Sequence, residues 1–407
     1  MMRTPAPAQE APQKAPSAPL GAFPAPARYQ TPGTRVAALR NDLRRATETI
    51  RPLHLFAGPG GWNMGAHILG LPAGLGYDID PDACATGTAA GFPRTRADVR
   101  DIDPDDPAFA DVDLVTISPP CPTLSAAGLR TGTRAGDRAA VSTGLTRLAD
   151  AHAGLAPDSA YAEVYDQVTD TRTGLIVEAL RFALRLPNVR AVVAEQVPPA
   201  EPYWEEICGE LAATADFTAC HVITVHAEDL GLPSLRRRVF LIATRDTTPN
   251  LAGLPMRRWW SCGRFQEPRL HTPPPAPAFP FVSMAAALGW PAGERVNTRG
   301  NRRTRGGNEF SADNRSWCLT EKARTWCRVS DGRRLTAAEA GLLNGFPPSY
   351  PWRGSRTKQF LQIADAVPPI VAAAVIGAAL GIRWQARVRD YHARLYPAQI
   401  ALFDLAA

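Results

Sequence analysis

Apolar residues along this chain fall into short runs that alternate with stretches of helical period. A run at residues 53–56 ends in Gly58-Pro59-Gly60-Gly61, and a helical stretch follows over 62–69. Further strands are predicted to end at Tyr77-Asp78 and to span 113–117, 190–194, 217–225 and 239–244. Helices are predicted over 175–186, where Ile176, Leu180 and Ala183 recur on one face, and over 204–213. Such alternation argues for a doubly wound α/β sheet, and the last two strands are close enough in sequence to pair as an antiparallel hairpin. Beyond Thr244 the alternation stops. Helical patterns return only at 336–343 and 370–380. The expected organisation is a tail over 1–34, a main domain over 35–245 that opens on a short helix, a smaller inserted domain over 246–330, a segment 331–385 that completes the main domain, and a terminal helix or tail over 386–407.

Composition adds three constraints. Residues 1–32 hold eight Pro and eight Ala with little apolar patterning, which suits a disordered tail. The longest apolar stretch, 371–382, is shorter than a spanning helix and follows Pro368-Pro369, so it reads as a core helix and no membrane is expected. The N-terminus lacks a basic-then-apolar export pattern, and the seven cysteines include no CxxC pair. Both features fit a reduced cytoplasmic protein without a metal site.

Charge is unevenly placed. The basic residues are 42 Arg and 3 Lys. Residues 246–330 carry 13 Arg+Lys against 6 Asp+Glu, a difference of +7, whereas the whole chain carries +6. A basic segment beside a neutral body suits a polyanion footprint, and a solvated Arg-rich loop fits the charge equally well.

Ligands of open α/β sheets sit at the carboxyl ends of strands. Three such ends carry suitable residues. In the turn Phe56-Ala57-Gly58-Pro59-Gly60-Gly61, the glycines let backbone N–H groups approach a carboxylate or phosphate. Asp78, beside Ile79 and 20 positions beyond Gly58, suits ribose hydroxyls. Asp98, beside Val99, suits an adenine amine. Plain turns and helix caps explain each feature singly, but together and in this order they point to a nucleoside ligand. The turn is not GxGxxG, so the dinucleotide fingerprint is absent.

A second set of residues carries nucleophilic chemistry. Ser118-Pro119-Pro120-Cys121-Pro122 follows the strand at 113–117, and its prolines hold a thiol at the ligand edge of the sheet. Catalysis there needs a thiolate favoured by nearby positive charge. A buried packing cysteine is the plainer alternative. Glu195 ends an apolar strand, which suits a proton donor, and Gln196-Val197-Pro198-Pro199 follow it. Arg236 and Arg238 fall on one face of the next strand and Arg237 on the other.

These residues, in this order, resemble the DNA (cytosine-5) methyltransferases over most of residues 51–382. Phe56 to Gly61 resembles their S-adenosylmethionine loop, Pro120-Cys121 their catalytic Pro-Cys, and Glu195-Gln196-Val197 their Glu-Asn-Val. Arg236 and Arg238 resemble the paired arginines of Gln-x-Arg-x-Arg. Arg334-Leu335-Thr336, Glu339 and Asn344-Gly345-Phe346-Pro347 resemble the motif after the target-recognition region. Gln362 with Ala366-Val367-Pro368-Pro369 resembles the segment that folds back to the cofactor. The chain departs from the pattern at Pro122 (usually Gln), Gln196 (Asn), Ser234 (Gln), Ala364-Asp365 (Gly-Asn) and Ile79 (aromatic), and 125–175 is long.

The resemblance implies a Rossmann-like methyltransferase sheet with a target-recognition domain at 246–330. It implies S-adenosylmethionine held by Phe56, Ala57, Gly58, Gly60, Gly61, Asp78, Ile79, Asp98, Val99, Pro120, Asp365 and Ala366. It assigns attack on cytosine C6 to Cys121, contact with N3 to Glu195, contact with O2 to Arg238, and Arg236 to the same catalytic group. Double-stranded DNA is the implied partner, flipped at its target base and contacted by Ser125, Arg299, Arg302, Arg303 and Arg305. A monomer is expected, and a cognate restriction endonuclease is a candidate partner. Three other readings stay open on sequence: an exocyclic-amino DNA methyltransferase, which would need an aromatic residue where Cys121 stands, a catalytically weak DNA-binding relative, and an RNA substrate.

Overall fold

A computed structural model describes residues 49–125, 128–214, 216–261, 279–299 and 308–397. The Pro/Ala tail therefore lies outside the described residues, as do most of the helix expected before Pro52 and the last ten residues.

The strands are β1 (Pro52–Leu55), β2 (Leu75–Asp78), β3 (Arg94–Arg96), β4 (Leu114–Ile117), β5 (Ala191–Gln196), β6 (Ala219–His226), β7 (Arg237–Thr244) and β8 (Met256–Ser261). They form one sheet in the order β3-β2-β1-β4-β5-β7-β6-β8. The first five are parallel, β7 runs antiparallel between β5 and β6, and β8 is antiparallel to β6. The expected doubly wound sheet and its edge hairpin are both present. From β1 the chain moves outward through β2 and β3, then returns to β4 on the other side. The crevice at the carboxyl ends of β1 and β4 is thus a topological switch point, where such sheets bind ligands.

Both faces of the sheet are covered. Ala191, Val193, Phe240 and Ile242 pack on one side with the helices Gly61–Ile68 and Pro369–Ala379. Val192, Ala194, Leu241 and Ala243 pack on the other with three further helices. Period-two alternation in strands buried on both faces explains why β5 is apolar at its first four positions.

The helices that cover the sheet and frame its ligand edge are α1 (Gly61–Ile68), α2 (Pro81–Ala89), α3 (Ala135–His152), α4 (Glu178–Arg185), α5 (Glu201–Ala213), α6 (Met284–Leu288), α7 (Ala337–Leu343), α8 (Arg356–Asp365), α9 (Pro369–Ala379) and α10 (Gln385–Leu395). Every residue of α9 is buried, as a core helix requires. It lies so close to α1 that a Cβ on Gly65 would sit 2.5 Å from Ala372 Cβ. Thr336 and Glu339 form a reciprocal cap at the start of α7, which gives those two motif positions a local structural reason.

The long stretch after Ser125 is helical, which its weak periodicity did not signal. α3 and the short helices Val164–Gln167 and Thr171–Gly174 pack against α4 and α5. Asp137 on α3 accepts from Thr169 N and Oγ1, and Tyr203 on α5 donates to Gly132 O.

The inserted segment expected over 246–330 has two described parts. Its first part, β8, extends the main sheet at the edge. The small sheet comes later, from β9 (Arg295–Asn297), β10 (Glu309–Ser311) and β11 (Cys327–Arg328) in the order β10-β9-β11. Its buried Val296, Phe310 and Trp326 belong to the same apolar cluster as α9. The small sheet is too short to enclose a core alone, so it shares the core of the main body.

Candidate functional site

Four strands, β1, β2, β4 and β5, deliver the site from their carboxyl ends, and β7, being antiparallel, delivers its amino end to the same edge. Register fixes which residues meet. Leu55 is opposite Ile117, Ile117 opposite Ala194, and Gln196 opposite Val239. The residues just beyond these rungs are the glycine turn, the Pro-Cys corner, Val197 and Arg238.

The glycine turn is wound tightly. Phe56 has φ 52, a conformation rare for a residue with a Cβ, and Gly58 and Gly60 have φ 53 and 113. Strain of this kind persists only where surrounding contacts hold it. Asp78 supplies one such contact, because its Oδ2 accepts from Gly58 N at 2.7 Å and its Oδ1 from Asp80 N at 2.8 Å. Burial pushes the Asp78 carboxyl up, and these two N–H groups pull it back. Tyr350 donates to Pro59 O from the other side. A Cβ on Gly61 would lie 2.1 Å from Val367 O, so only glycine lets the C-terminal segment close over the turn.

That segment is pinned at several points. Asn344 Nδ2 donates to Ile363 O at 3.0 Å and to Ala366 O at 3.3 Å. Arg236 Nη1 donates to Ala364 O at 2.6 Å and Nη2 reaches Asp365 O at 3.5 Å. Gln362 accepts from Thr86 Oγ1 at 2.6 Å and donates to Arg353 O at 3.0 Å.

The Pro-Cys corner is tied to its neighbours in the same way. Trp62 Nε1 donates to Ser118 Oγ at 2.7 Å. Gln196 Nε2 donates to Pro119 O at 2.8 Å, and its Oε1 accepts from Val197 N at 2.7 Å. The amide at 196 thus braces the corner even though the side chain is one methylene longer than the family's asparagine. Ser234 Oγ donates to Leu343 O at 2.8 Å, which joins the segment before β7 to the end of α7.

Two cavities meet at Cys121. The inner one, about 350 Å³, is lined by the glycine turn, Trp62, Asp78, Ile79, Pro120 and the end of α8. The outer cleft, about 630 Å³, runs past Ser125, Val197-Pro198-Pro199 and the segment 318–322. Cys121, Pro122, Arg238, Leu361 and Asp365 line both. Arg238 Nε lies 2.8 Å from Glu195 Oε1, and Glu195 is buried. The two meet because Glu195 is opposite Phe240 and Arg238 is two residues away on the same face.

Electrostatics at the thiol do not match the simple expectation. Burial pushes the Cys121 thiol up to about 11, Asp365 adds to the rise, and Arg238 and Arg236 oppose it. A thiol in this state needs a base or a bound substrate to react near neutrality. Crowding by surrounding protein pushes Asp365 upward against the pull of both arginines, although its side chain keeps solvent exposure.

Most of the expected site residues come together here. Phe56, Ala57, Gly58, Gly61, Asp78, Ile79, Pro120, Cys121, Glu195, Arg238, Asp365 and Ala366 all line the inner cavity, and Ser125 lines the outer cleft. Gly60 shapes the turn without lining the cavity. Two expected positions lie away from the cavity wall. Arg236 is buried behind the site and spends its guanidinium on backbone carbonyls, so it is a positioning residue. Asp98 and Val99 are not on the cavity wall. Asp98 caps a 3-10 turn and is paired with Arg100, and the Val99 carbonyl accepts from Arg181 at 2.9 Å. Arg299 is exposed at the end of β9, where its backbone N donates to Asn297 Oδ1 at 2.8 Å. Arg302, Arg303 and Arg305 lie outside the described residues.

The structure also adds Trp62, Asp80, Arg172, Leu361, Gln362 and Val367 to the inner wall. Gln362 and Val367 were legible as motif neighbours. Arg172 comes from the helical insertion, and no local pattern marks it.

Comparison with known proteins supports the same picture. The family described as C-5 cytosine-specific DNA methylase matches residues 50–143 and 288–380. The chain is 27% identical over 327 residues to the type II methyltransferase M.AplI of Arthrospira platensis, covering 79% of this chain and 83% of that protein. It is 24% identical over 363 residues to the type II methyltransferase M1.HphI of Haemophilus parahaemolyticus, covering 81% and 86%. Among solved structures, the Entamoeba histolytica methyltransferase EhMeth superposes with a TM-score of 0.53 at 14% identity, covering 82% of this chain and 98% of that one. A mutant DNMT2 of Spodoptera frugiperda gives 0.53 at 16% identity, covering 81% and 99%. At these identities the superpositions establish a shared fold.

Proposed function

We propose that in this chain, whose residues 50–143 and 288–380 match the C-5 cytosine-specific DNA methylase family, Cys121 adds to C6 of a cytosine flipped out of duplex DNA, so that C5 can take a methyl group. The observation that carries this reading is the position of Cys121 at the junction of the two cavities, beside the Arg238–Glu195 pair. The outer cleft would admit the base and the inner cavity the donor.

The inner cavity fits S-adenosylmethionine by its chemistry. Its wall combines the aromatic Phe56 and Trp62 with the carboxylates of Asp78 and Asp80, which suit a nucleoside and a positively charged group. When bound, that molecule supplies an activated methyl group. The residues Phe56 to Gly61, Asp78, Ile79, Pro120 and Ala366 would hold it.

The chain's own residues then divide the work. Cytosine C5 is a poor nucleophile until sulfur adds at C6 and shifts the ring electrons to C5. Glu195 would hold N3 and the exocyclic amine and protonate N3 as charge develops. Arg238, fixed by Glu195, would contact O2. Gln196 keeps the Pro-Cys backbone from moving as the bond forms. Loss of the C5 proton and departure of sulfur complete the exchange. Extruding the base costs a few kcal/mol, which contacts from 246–330 and the outer cleft would offset.

The test is a Cys121→Ala variant assayed with tritiated donor on mixed-sequence duplex DNA. Methyl transfer should vanish while donor affinity stays within a few-fold. Turnover in that variant would remove Cys121 from the reaction.

A further inference from the structure

Asp365 stands out among the junction residues because no step of the proposed reaction uses its carboxylate. Only five residues line both cavities among those described, and three of them are ionisable: Cys121, Arg238 and Asp365. Arg238 is committed to Glu195 at 2.8 Å. Arg236, the nearest other cation, donates to the backbone carbonyls of Ala364 and Asp365 and not to the carboxylate. The Asp365 side chain is exposed at the cavity walls, and its backbone carbonyl faces the Arg236 guanidinium at the end of α8. A carboxylate thus shares both cavity walls with the thiol and is left available.

The thiol gives that carboxylate a task. Cys121 is held mainly protonated by burial, and the charge of Asp365 is the next largest influence on it. Sulfur cannot add to C6 until its proton leaves. A base at the junction would remove this barrier, and general bases of this kind contribute about 100- to 10,000-fold in rate.

We propose that Asp365 is the base that takes the Cys121 proton as sulfur adds to cytosine C6, and the acid that returns it when sulfur departs. This inference rests on the reading of Cys121 as nucleophile. In the forward step the S–H bond breaks, its proton passes to an Asp365 oxygen, and the sulfur pair forms the S–C6 bond. In the final step the S–C6 bond breaks as the C5 proton is lost to solvent, and the leaving thiolate recovers the proton from Asp365. The carboxyl ends as it began.

Other ionisable groups face Asp365 and must be counted in any pH profile. Arg236 and Arg238 approach from β7, Glu195 from β5 and Asp78 from β2. Cys318, Glu321, Lys322 and Arg237 lie along the outer cleft, and Asp80 and Arg172 along the inner cavity. The carboxyl of Asp365 itself titrates at about 6.

The deciding experiment compares the full-length protein with its Asp365→Asn and Asp365→Glu variants. Single-turnover formation of an SDS-stable adduct is followed across pH on a long PCR duplex in which 5-fluorocytosine replaces cytosine, with donor present. Trapping by the unsubstituted protein should rise with pH through about 6 and then level. Asp365→Asn should trap at least ~100-fold more slowly at neutral pH, should close that gap as pH rises, and should bind DNA within a few-fold of normal. Asp365→Glu should recover part of the loss. A simple repulsive role predicts the opposite, because removing the charge would ease thiolate formation and speed trapping. Equal or faster trapping by Asp365→Asn, or a loss that does not change with pH, overturns the proposal. If Asp365→Asn does not fold, the profile of the unsubstituted protein decides, since a flat line through pH 6 also overturns it. Failure of the unsubstituted protein to form any adduct would instead strike at the nucleophilic role of Cys121.

Discussion

Gln196 reaches across from β5 to donate to the Pro119 carbonyl at 2.8 Å while its own oxygen holds the Val197 amide at 2.7 Å. One amide therefore ties the Pro-Cys corner to the strand that carries Glu195. Both groups it satisfies are buried, so cutting the side chain back leaves two backbone groups without partners, at a cost of about 1–3 kcal/mol each. Gln196→Ala should slow methyl transfer by roughly 10- to 100-fold with donor affinity little changed, because the thiol loses its fixed position. Rapid-quench measurement with tritiated donor checks this. An unchanged rate would show that the prolines alone hold the corner.

Glu195 and Arg238 form a buried pair, and the two members have different tasks in the proposed reaction. Glu195→Gln keeps the shape and one hydrogen bond to Arg238 but cannot give up a proton. The single-turnover rate should fall ~100-fold or more, while DNA affinity by fluorescence anisotropy shifts only a few-fold. Unaltered turnover would remove Glu195 from proton transfer.

Gly61 marks where the C-terminal segment closes over the nucleoside turn. An added Cβ would sit 2.1 Å from Val367 O, and backbone cannot yield as a flexible side chain would. Gly61→Ala should lower stability by about 1–3 kcal/mol and weaken donor binding, read by thermal melts with and without S-adenosylmethionine. Gly209, inside α5 with nothing within 4 Å of its added Cβ, is the control. Gly209→Ala should raise stability by about 0.5–1 kcal/mol. Equal effects at both positions would mean that helix propensity, not the close approach, governs Gly61.

His54 predicts the acid limb of stability. It is fully buried between β1 and β4, with Nδ1 2.7 Å from Thr116 Oγ1 and Nε2 3.2 Å from Ala73 O. Burial pushes its pKa down from 6.5 to about 3. Between those values the unfolded chain holds a proton that the folded chain lacks, so stability falls as pH drops, by about 1.4 kcal/mol per unit for one full proton. His54→Gln should be less stable at pH 7 but show a shallower loss on acidification. Urea midpoints at several pH values test this. Parallel slopes for both proteins would place the acid sensitivity elsewhere, with half-buried His221, lowered to about 4, the next candidate.

Local features were legible in the sequence. The glycine turn, the Pro-Cys corner and the acid at the end of β5 are each written in a few consecutive residues, because turns and strand ends depend on neighbours in the chain. Strand periodicity marked six strands of the main sheet but not the edge strands β3 and β8, and alternation separated Arg237 from Arg236 and Arg238. The helical insertion was not legible. The buried Ala140, Val141, Gly144, Leu145 and Leu148 of α3 do fall at helical spacing, but small residues on that face and alanines elsewhere on the helix leave little apolar contrast.

What the sequence determined by itself was the order of strands and the residues at their carboxyl ends, since these follow from backbone preference and the two-residue repeat. Only the tertiary structure decided how those residues are used. It sent Arg236 to backbone carbonyls, turned Asp98 toward Arg100 and away from the cavity, brought Arg172 in from the insertion, and set Asp365 on the same two cavity walls as Cys121. Those outcomes depend on contacts between segments far apart in the chain. Whether a carboxylate caps a turn or faces a thiol is settled by what packs around it.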